Sequence, residues 1–176
     1  MNKFLPVVIF LLITFPLIAE AGTPKTAKAD IINSKGEKIG TATFAQMPHG
    51  VKMSVNVSNL PPGPHGIHIH EVGKADVPDF KSAGGHFNPS AKHHGLDNPE
   101  GHHAGDMPNL VVGADGKATG EIVLHDVTLK PDAGNSLFHP GGTALVIHAT
   151  QDDQKSDPSG NSGGRIACGV ITEVKE

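Results

Sequence analysis

Six histidines and one aspartate fall into three short stretches of this chain, and their side chains are of the types that bind transition metals. The stretches are Gly66-Ile67-His68-Ile69-His70-Glu71, then Gly84-Gly85-His86-Phe87-Asn88-Pro89 continuing to His94, His103 and Asp106, and finally Leu145-Val146-Ile147-His148. Imidazole suits copper and zinc, and a nitrogen set with one carboxylate excludes the oxygen-rich shells of calcium and magnesium. The number of donors points to two metals. A His-x-His pair alone is weak evidence, because two histidines on a strand surface are usually just solvated. Its weight comes from the five further donors. Arg165 adds a cation just before the single cysteine, Cys168.

Short strands must position these groups. Lys28 to Asn33 and Lys38 to Phe44 flank Ser34-Lys35-Gly36-Glu37, which reads as a hairpin loop. Val51, Met53, Val55 and Val57 alternate with polar residues, the period of a half-buried strand. Gly66 to Glu71 follows as a strand with Ile67 and Ile69 on one face and His68 and His70 on the other. If the isoleucines fill the core, both imidazoles lie on the outer surface. Val72 to Asn109 shows no periodic element, and so long an irregular stretch is either functional or disordered. The polar segment His94 to His103 has little to bury, so a metal is its natural organiser. Further strands are expected at Leu110 to Val112, Thr119 to Leu124, Val127 to Leu129, Ala144 to His148 and Ile166 to Val174. A second polar loop, Gln151 to Gly164, precedes the last of them.

Composition agrees. Glycine (22) and proline (14) are abundant and Trp and Tyr are absent, so the core is aliphatic and broken by turns, which favours an all-β fold. Lys3, the apolar run Phe4 to Ile18 and Ala19-Glu20-Ala21 have the form of a signal peptide over residues 1–21, too short for a spanning helix. That leaves Gly22 to Glu176 as one domain, exported to the periplasm or secreted, with no membrane partner after cleavage. The net charge of −4 argues against nucleic acid as a partner. One cysteine cannot form a disulfide within its own chain.

These motifs resemble the copper/zinc superoxide dismutases. The resemblance lies in Gly-Ile-His-Ile-His-Glu, Gly-Gly-His-Phe-Asn-Pro, the spacing His86-x7-His94-x8-His103-x2-Asp106, Leu-Val-Ile-His and Gly-Gly-Arg-Ile-Ala-Cys-Gly-Val-Ile. It covers nearly all of the chain after residue 21. It implies an eight-stranded antiparallel Greek-key β-barrel, with the metals outside the barrel beneath long metal-binding and electrostatic loops. It assigns His68, His70, His86 and His148 to one copper, and His86, His94, His103 and Asp106 to one zinc. His86 then bridges the two as an imidazolate. The implied reaction takes superoxide through Cu(II) and Cu(I) to dioxygen and hydrogen peroxide, with His86 taking up and delivering a proton. Arg165 matches the position that orients the anion. Asp152 matches a carboxylate that links a copper histidine to a zinc histidine, although Asp153 stands beside it. Lys155 either adds a positive field above the copper or is a plain surface lysine. His49, His65, His93, His102, His125 and His139 match no ligand position.

The chain departs from this pattern in one respect. Members of the family usually tie the loop before the bridging histidine to the strand carrying Cys168 by a disulfide, but Gly73 to Gly85 holds no cysteine. Phe80 and Ala75 stand where a partner would be sought, which leaves Cys168 either buried or free to cross-link two chains. A rival reading is a non-enzymatic copper or zinc carrier of the same fold; the intact ligand set and Arg165 weigh against it. A zinc hydrolase fails because four protein ligands leave no open position for water. Monomer and homodimer are equally compatible with the sequence.

Overall fold

The computed structural model describes residues 25–175; the expected signal peptide lies outside them. The strands are β1 (Thr26–Asn33), β2 (Lys38–Met47), β3 (Gly50–Val57), β4 (Gly63–His65), β5 (Ile67–His70), β6 (Leu110–Val112), β7 (Ala118–Leu124), β8 (Ala144–His148), β9 (Arg165–Val170) and β10 (Thr172–Glu173). Among the described residues no α-helix forms, and the one helical turn is the 3₁₀ turn Lys81–Ala83. Seven strands follow one antiparallel path, β5-β8-β9-β1-β2-β3-β7, with β10 added beside β1 and a separate ribbon β4-β6. The chain leaves β3 near one end of this path and reappears in β5 at the other, then returns through β7 to pair with β3. Those crossovers give the Greek-key connectivity and curl the sheet into an open-sided barrel.

Alternation drives the burial. In β3, Val51, Met53, Val55 and Val57 are all buried while the residues between them are not. They join Ile31, Phe44, Ile67, Ile69, Leu145 and Ile147 in the main core. A large side chain here contributes about 1.5–3 kcal/mol through removal from water. Val127 to Leu129 corrects the expected strand list. Val127 and Leu129 are buried, but the backbone does not enter the sheet: Leu129 N–H donates to Gln46 Oε1 (2.7 Å) and Thr128 N–H to the Asn135 carbonyl (3.2 Å). Apolar alternation is therefore satisfied here by a loop whose hydrogen bonds come from a side chain and a turn. The expected final strand is likewise broken at Ile171, whose N–H turns to the Thr143 carbonyl.

Candidate metal centre

β5 is the edge of the sheet, and its free side is where the long loop docks. Phe87 N–H donates to the Ile69 carbonyl (2.8 Å) and Ile69 N–H to the Gly105 carbonyl (2.9 Å), and bridges form at His70–His86 and His68–Asp106. On its other side β5 pairs with β8, which carries His148. A register irregularity between Ile147 and His148 sets His148 opposite Arg165 of β9. Three strands and one loop thus deliver six histidines, Asp106 and Arg165 to one region. Ile67 and Ile69 do face the core, but His68 and His70 are not on open surface: the loops cover them until they are as buried as the isoleucines.

The ring nitrogens of His68, His70, His86 and His148 lie within 4.8 Å of one another. Each tautomer follows from what the opposite nitrogen does. His68 Nε2–H donates to Asp152 Oδ2 (2.7 Å), His70 Nδ1–H to the Gly84 carbonyl (3.0 Å) and His148 Nδ1–H to the Gly163 carbonyl (3.3 Å). That leaves His68 Nδ1, His70 Nε2 and His148 Nε2 as bare lone pairs. His70 Nε2 and His148 Nε2 face each other at 3.4 Å, two acceptors with no hydrogen between them. His68 Nδ1 and His86 Nε2 are buried without a hydrogen-bond partner. Four convergent lone pairs in a buried site are what a soft-to-borderline cation satisfies.

A second group shares His86. Asp106 Oδ1 lies 2.9 Å from His86 Nδ1, 3.1 Å from His94 Nδ1 and 3.3 Å from His103 Nδ1, and His86 Nδ1 lies 3.4 Å from His103 Nδ1. A tetrahedral zinc with bonds of about 2.0–2.1 Å has ligand–ligand edges of about 3.3–3.4 Å, so the set has nearly the right size. The other oxygen, Asp106 Oδ2, accepts the backbone N–H groups of Gly95 (2.9 Å) and His103 (3.0 Å), which turns Oδ1 toward the imidazoles.

Asp152 joins the two groups. Its Oδ2 accepts from His68, and its Oδ1 accepts from His94 Nε2 (3.0 Å). A third donor cluster, His68, His94 and Asp152, is this same link, with the histidines donating to the carboxylate. Asp153 does something else: it is exposed and caps the N–H groups of Lys155 and Ser156. Asn109 holds Asp152 through its backbone on both sides, Asp152 N–H to Asn109 Oδ1 (2.8 Å) and Asn109 Nδ2 to the Asp152 carbonyl (2.9 Å). Gly160 lies beneath; a Cβ there would run into Asp152 Oδ1, and its φ of +63° also suits glycine. His65 is buried with Nδ1 at 2.8 Å from the His148 carbonyl and Nε2 at 2.8 Å from the Pro61 carbonyl, so it props the strand end carrying His148. Neither Asn109 nor His65 has a local signal in the sequence, because each acts through backbone atoms distant along the chain.

A cleft of ≈ 300 Å³ opens over this region, lined by His70, His86, His148, Ser159, Gly163 and Arg165 among others. The guanidinium is pinned by two backbone carbonyls, Nη1 to Phe80 O and Nη2 to Gly84 O, both 2.6 Å. Lys155 is exposed and does not line the cleft.

Burial keeps the first histidine group neutral. It pushes His70 well below its ordinary value, His86 down to about 4 and His148 to about 3, and it lowers His68 against the pull of Asp152. His94 goes the other way: burial lowers it, but Asp106 and Asp152 outweigh burial and raise it to about 9. A histidine lowered by folding binds fewer protons folded than unfolded, so stability falls as pH drops below about 6.5. The contribution of His94 is complete below that pH and is lost only as pH rises through about 9. The metal-free protein is therefore expected to lose about 5 °C or more in Tm between pH 7 and pH 5. Calorimetry of the stripped protein checks this; a Tm that rises on acidification contradicts the neutral-histidine assignment.

Residues 38–171 match the family described as copper/zinc superoxide dismutase (SODC). The chain belongs to the copper/zinc superoxide dismutase family. It is 58% identical over 144 residues to superoxide dismutase [Cu-Zn] 1 of Aquifex aeolicus, covering 81% of this chain and 85% of that one. Among solved structures, a SOD-like protein from Bacillus subtilis matches with TM-score 0.79 at 42% identity, over 81% of this chain and 96% of that chain. The Cu/Zn superoxide dismutase from Brucella abortus matches with TM-score 0.67 at 30% identity, over 84% and 99%. The family uses copper and zinc; the group of His68, His70, His86 and His148 fits by ligand type and free lone pairs, and the group around Asp106 by ligand type and spacing.

Proposed function

We propose that this chain dismutates superoxide, with His68 Nδ1, His70 Nε2, His86 Nε2 and His148 Nε2 as the copper ligands. His86, His94 and His103, each through Nδ1, and Asp106 Oδ1 are the zinc ligands. The observation that carries this is the set of four buried, bare imidazole nitrogens, three of whose rings (His70, His86 and His148) line a cleft that also holds a pinned arginine. When bound, copper supplies a one-electron couple and zinc a fixed charge that holds the loops. Arg165 draws the anion into the cleft and orients it with the N–H groups that its two carbonyl partners leave free. His86 would carry the proton, since its ring lines the cleft and its Nε2 has no other hydrogen-bond partner. Asp152 accepts from Nε2 of both His68 and His94, which turns Nδ1 of each toward its donor group. Export is the second part of the proposal, carried by Lys3, the run Phe4 to Ile18 and Ala19-Glu20-Ala21.

The test is superoxide consumption by protein loaded with one copper and one zinc, beside protein loaded with zinc alone. Activity that requires copper is the expected result. Stoichiometric copper binding without activity overturns the catalytic reading in favour of a carrier.

A further inference from the structure

Phe80 has no access to solvent, yet it lies in a loop and not in a strand. Its ring packs in a small cluster with Ala83, Ala144, Val146 and Cys168, apart from the main core, with Ile32 and Ala75 at its margin. Its backbone is in the left-handed region, φ 53° and ψ 21°, and opens the turn Lys81–Ala83. A bulky residue persists there only where its surroundings hold it. The carbonyl of this same residue accepts both Ala83 N–H (3.1 Å) and Arg165 Nη1 (2.6 Å). Four residues on, the Gly84 carbonyl accepts both Arg165 Nη2 (2.6 Å) and His70 Nδ1–H (3.0 Å). One short loop thus sets the guanidinium and a ring of the metal centre together, and no covalent bond holds it, since Cys168 is a free thiol.

We propose that Phe80 is a positioning residue for Arg165: its ring, seated against Ala83, Ala144, Val146 and Cys168, fixes the two carbonyls that aim the guanidinium into the cleft. Side-chain packing does the holding, so the aim of Arg165 is independent of thiol–disulfide state. The proposal rests on the reading of Arg165 as the anion-binding group. A ring that merely fills space would affect melting alone, whereas a positioning ring acts on anions through Arg165; an unchanged azide-free copper spectrum shows that His70, held by the same Gly84 carbonyl, has not moved.

The experiment measures azide affinity by visible titration of the copper- and zinc-loaded protein, in the wild type and in Phe80→Ala, Phe80→Met, Arg165→Ala and the Phe80→Ala/Arg165→Ala double variant. Metal content and the azide-free copper spectrum are recorded for each. Phe80→Ala is expected to weaken azide binding by about tenfold or more with both metals retained, since small misplacements of a positioning group are costly. The double variant should bind no more weakly than Arg165→Ala, because the two residues act as one unit. Phe80→Met, which refills the cluster, should restore most of the affinity. Should the alanine variant fail to fold, Phe80→Val takes its place in the same cycle. Unchanged azide affinity with a lowered Tm, or effects that simply add, overturns the proposal. If Arg165→Ala itself leaves azide binding unaltered, the reading of Arg165 fails and the proposal with it; if only the Phe80 variants are silent, the proposal alone fails.

Discussion

Replacing His148 by alanine is expected to remove superoxide dismutation while leaving zinc bound. The side chain offers one bare nitrogen, Nε2, to the group formed with His68, His70 and His86, and none to the group around Asp106. Loss of a supporting contact costs about 10–100-fold in metal affinity or activity, and loss of a direct ligand should cost more. The rate is therefore expected to fall by more than about 100-fold. The backbone of His148 also stays useful in the variant, because its carbonyl still receives His65 Nδ1 and its N–H still donates to the Gly66 carbonyl (2.8 Å). Folding and zinc content should accordingly be preserved. Full activity in a His148→Ala protein shown to hold copper elsewhere would falsify the ligand assignment.

Complete metal removal is expected to lower Tm by about 15 °C or more. A structural metal bound only to the folded state adds its binding free energy to stability, typically several kcal/mol, and each kcal/mol moves Tm by about 2–4 °C in a chain of this size. Without metals, His70 Nε2 and His148 Nε2 still face each other and two buried nitrogens lack partners. The loop from Glu71 to Asn109 would keep its backbone bonds to β5, the packing of Phe80 and its bonds to Arg165, Asp152 and Asp157, but would lose the ties a metal makes among His86, His94, His103 and Asp106. Reducing agent should do almost nothing. Cys168 is buried, has no partner cysteine, and burial pushes its thiol up to about 12. Scanning calorimetry with a strong chelator, and separately with a dithiol, checks both halves. An unchanged Tm after verified metal removal contradicts the first half; a large drop with the dithiol alone contradicts the second.

The state of Cys168 illustrates where linear reading stops. A single cysteine and a loop without one say that no internal disulfide exists, but not where the thiol lies. The structure buries it against Phe80, Ala83, Ala144 and Val146, which removes the option of cross-linking two chains at this position. Val127 to Leu129 shows the converse: alternation correctly marks two buried residues but misassigns their backbone, because Gln46, some eighty residues earlier, satisfies it.

The all-β class, most strand positions and the family are legible in the linear chain, because alternation has a two-residue period and the histidine motifs are local and specific. The linear chain also names the residues that the structure brings together around His86 and the arginine beside them. Which nitrogen of each histidine is bare follows from the fold, since it depends on carbonyls of Gly84 and Gly163 and on Asp152, none of them a near neighbour in sequence of the ring it orients. The fold alone distinguished Asp152 from Asp153, covered His68 and His70 with loops, and gave Phe80, Asn109 and His65 their places. Motifs record which donors are present; hydrogen bonds between segments far apart in the chain decide where those donors point.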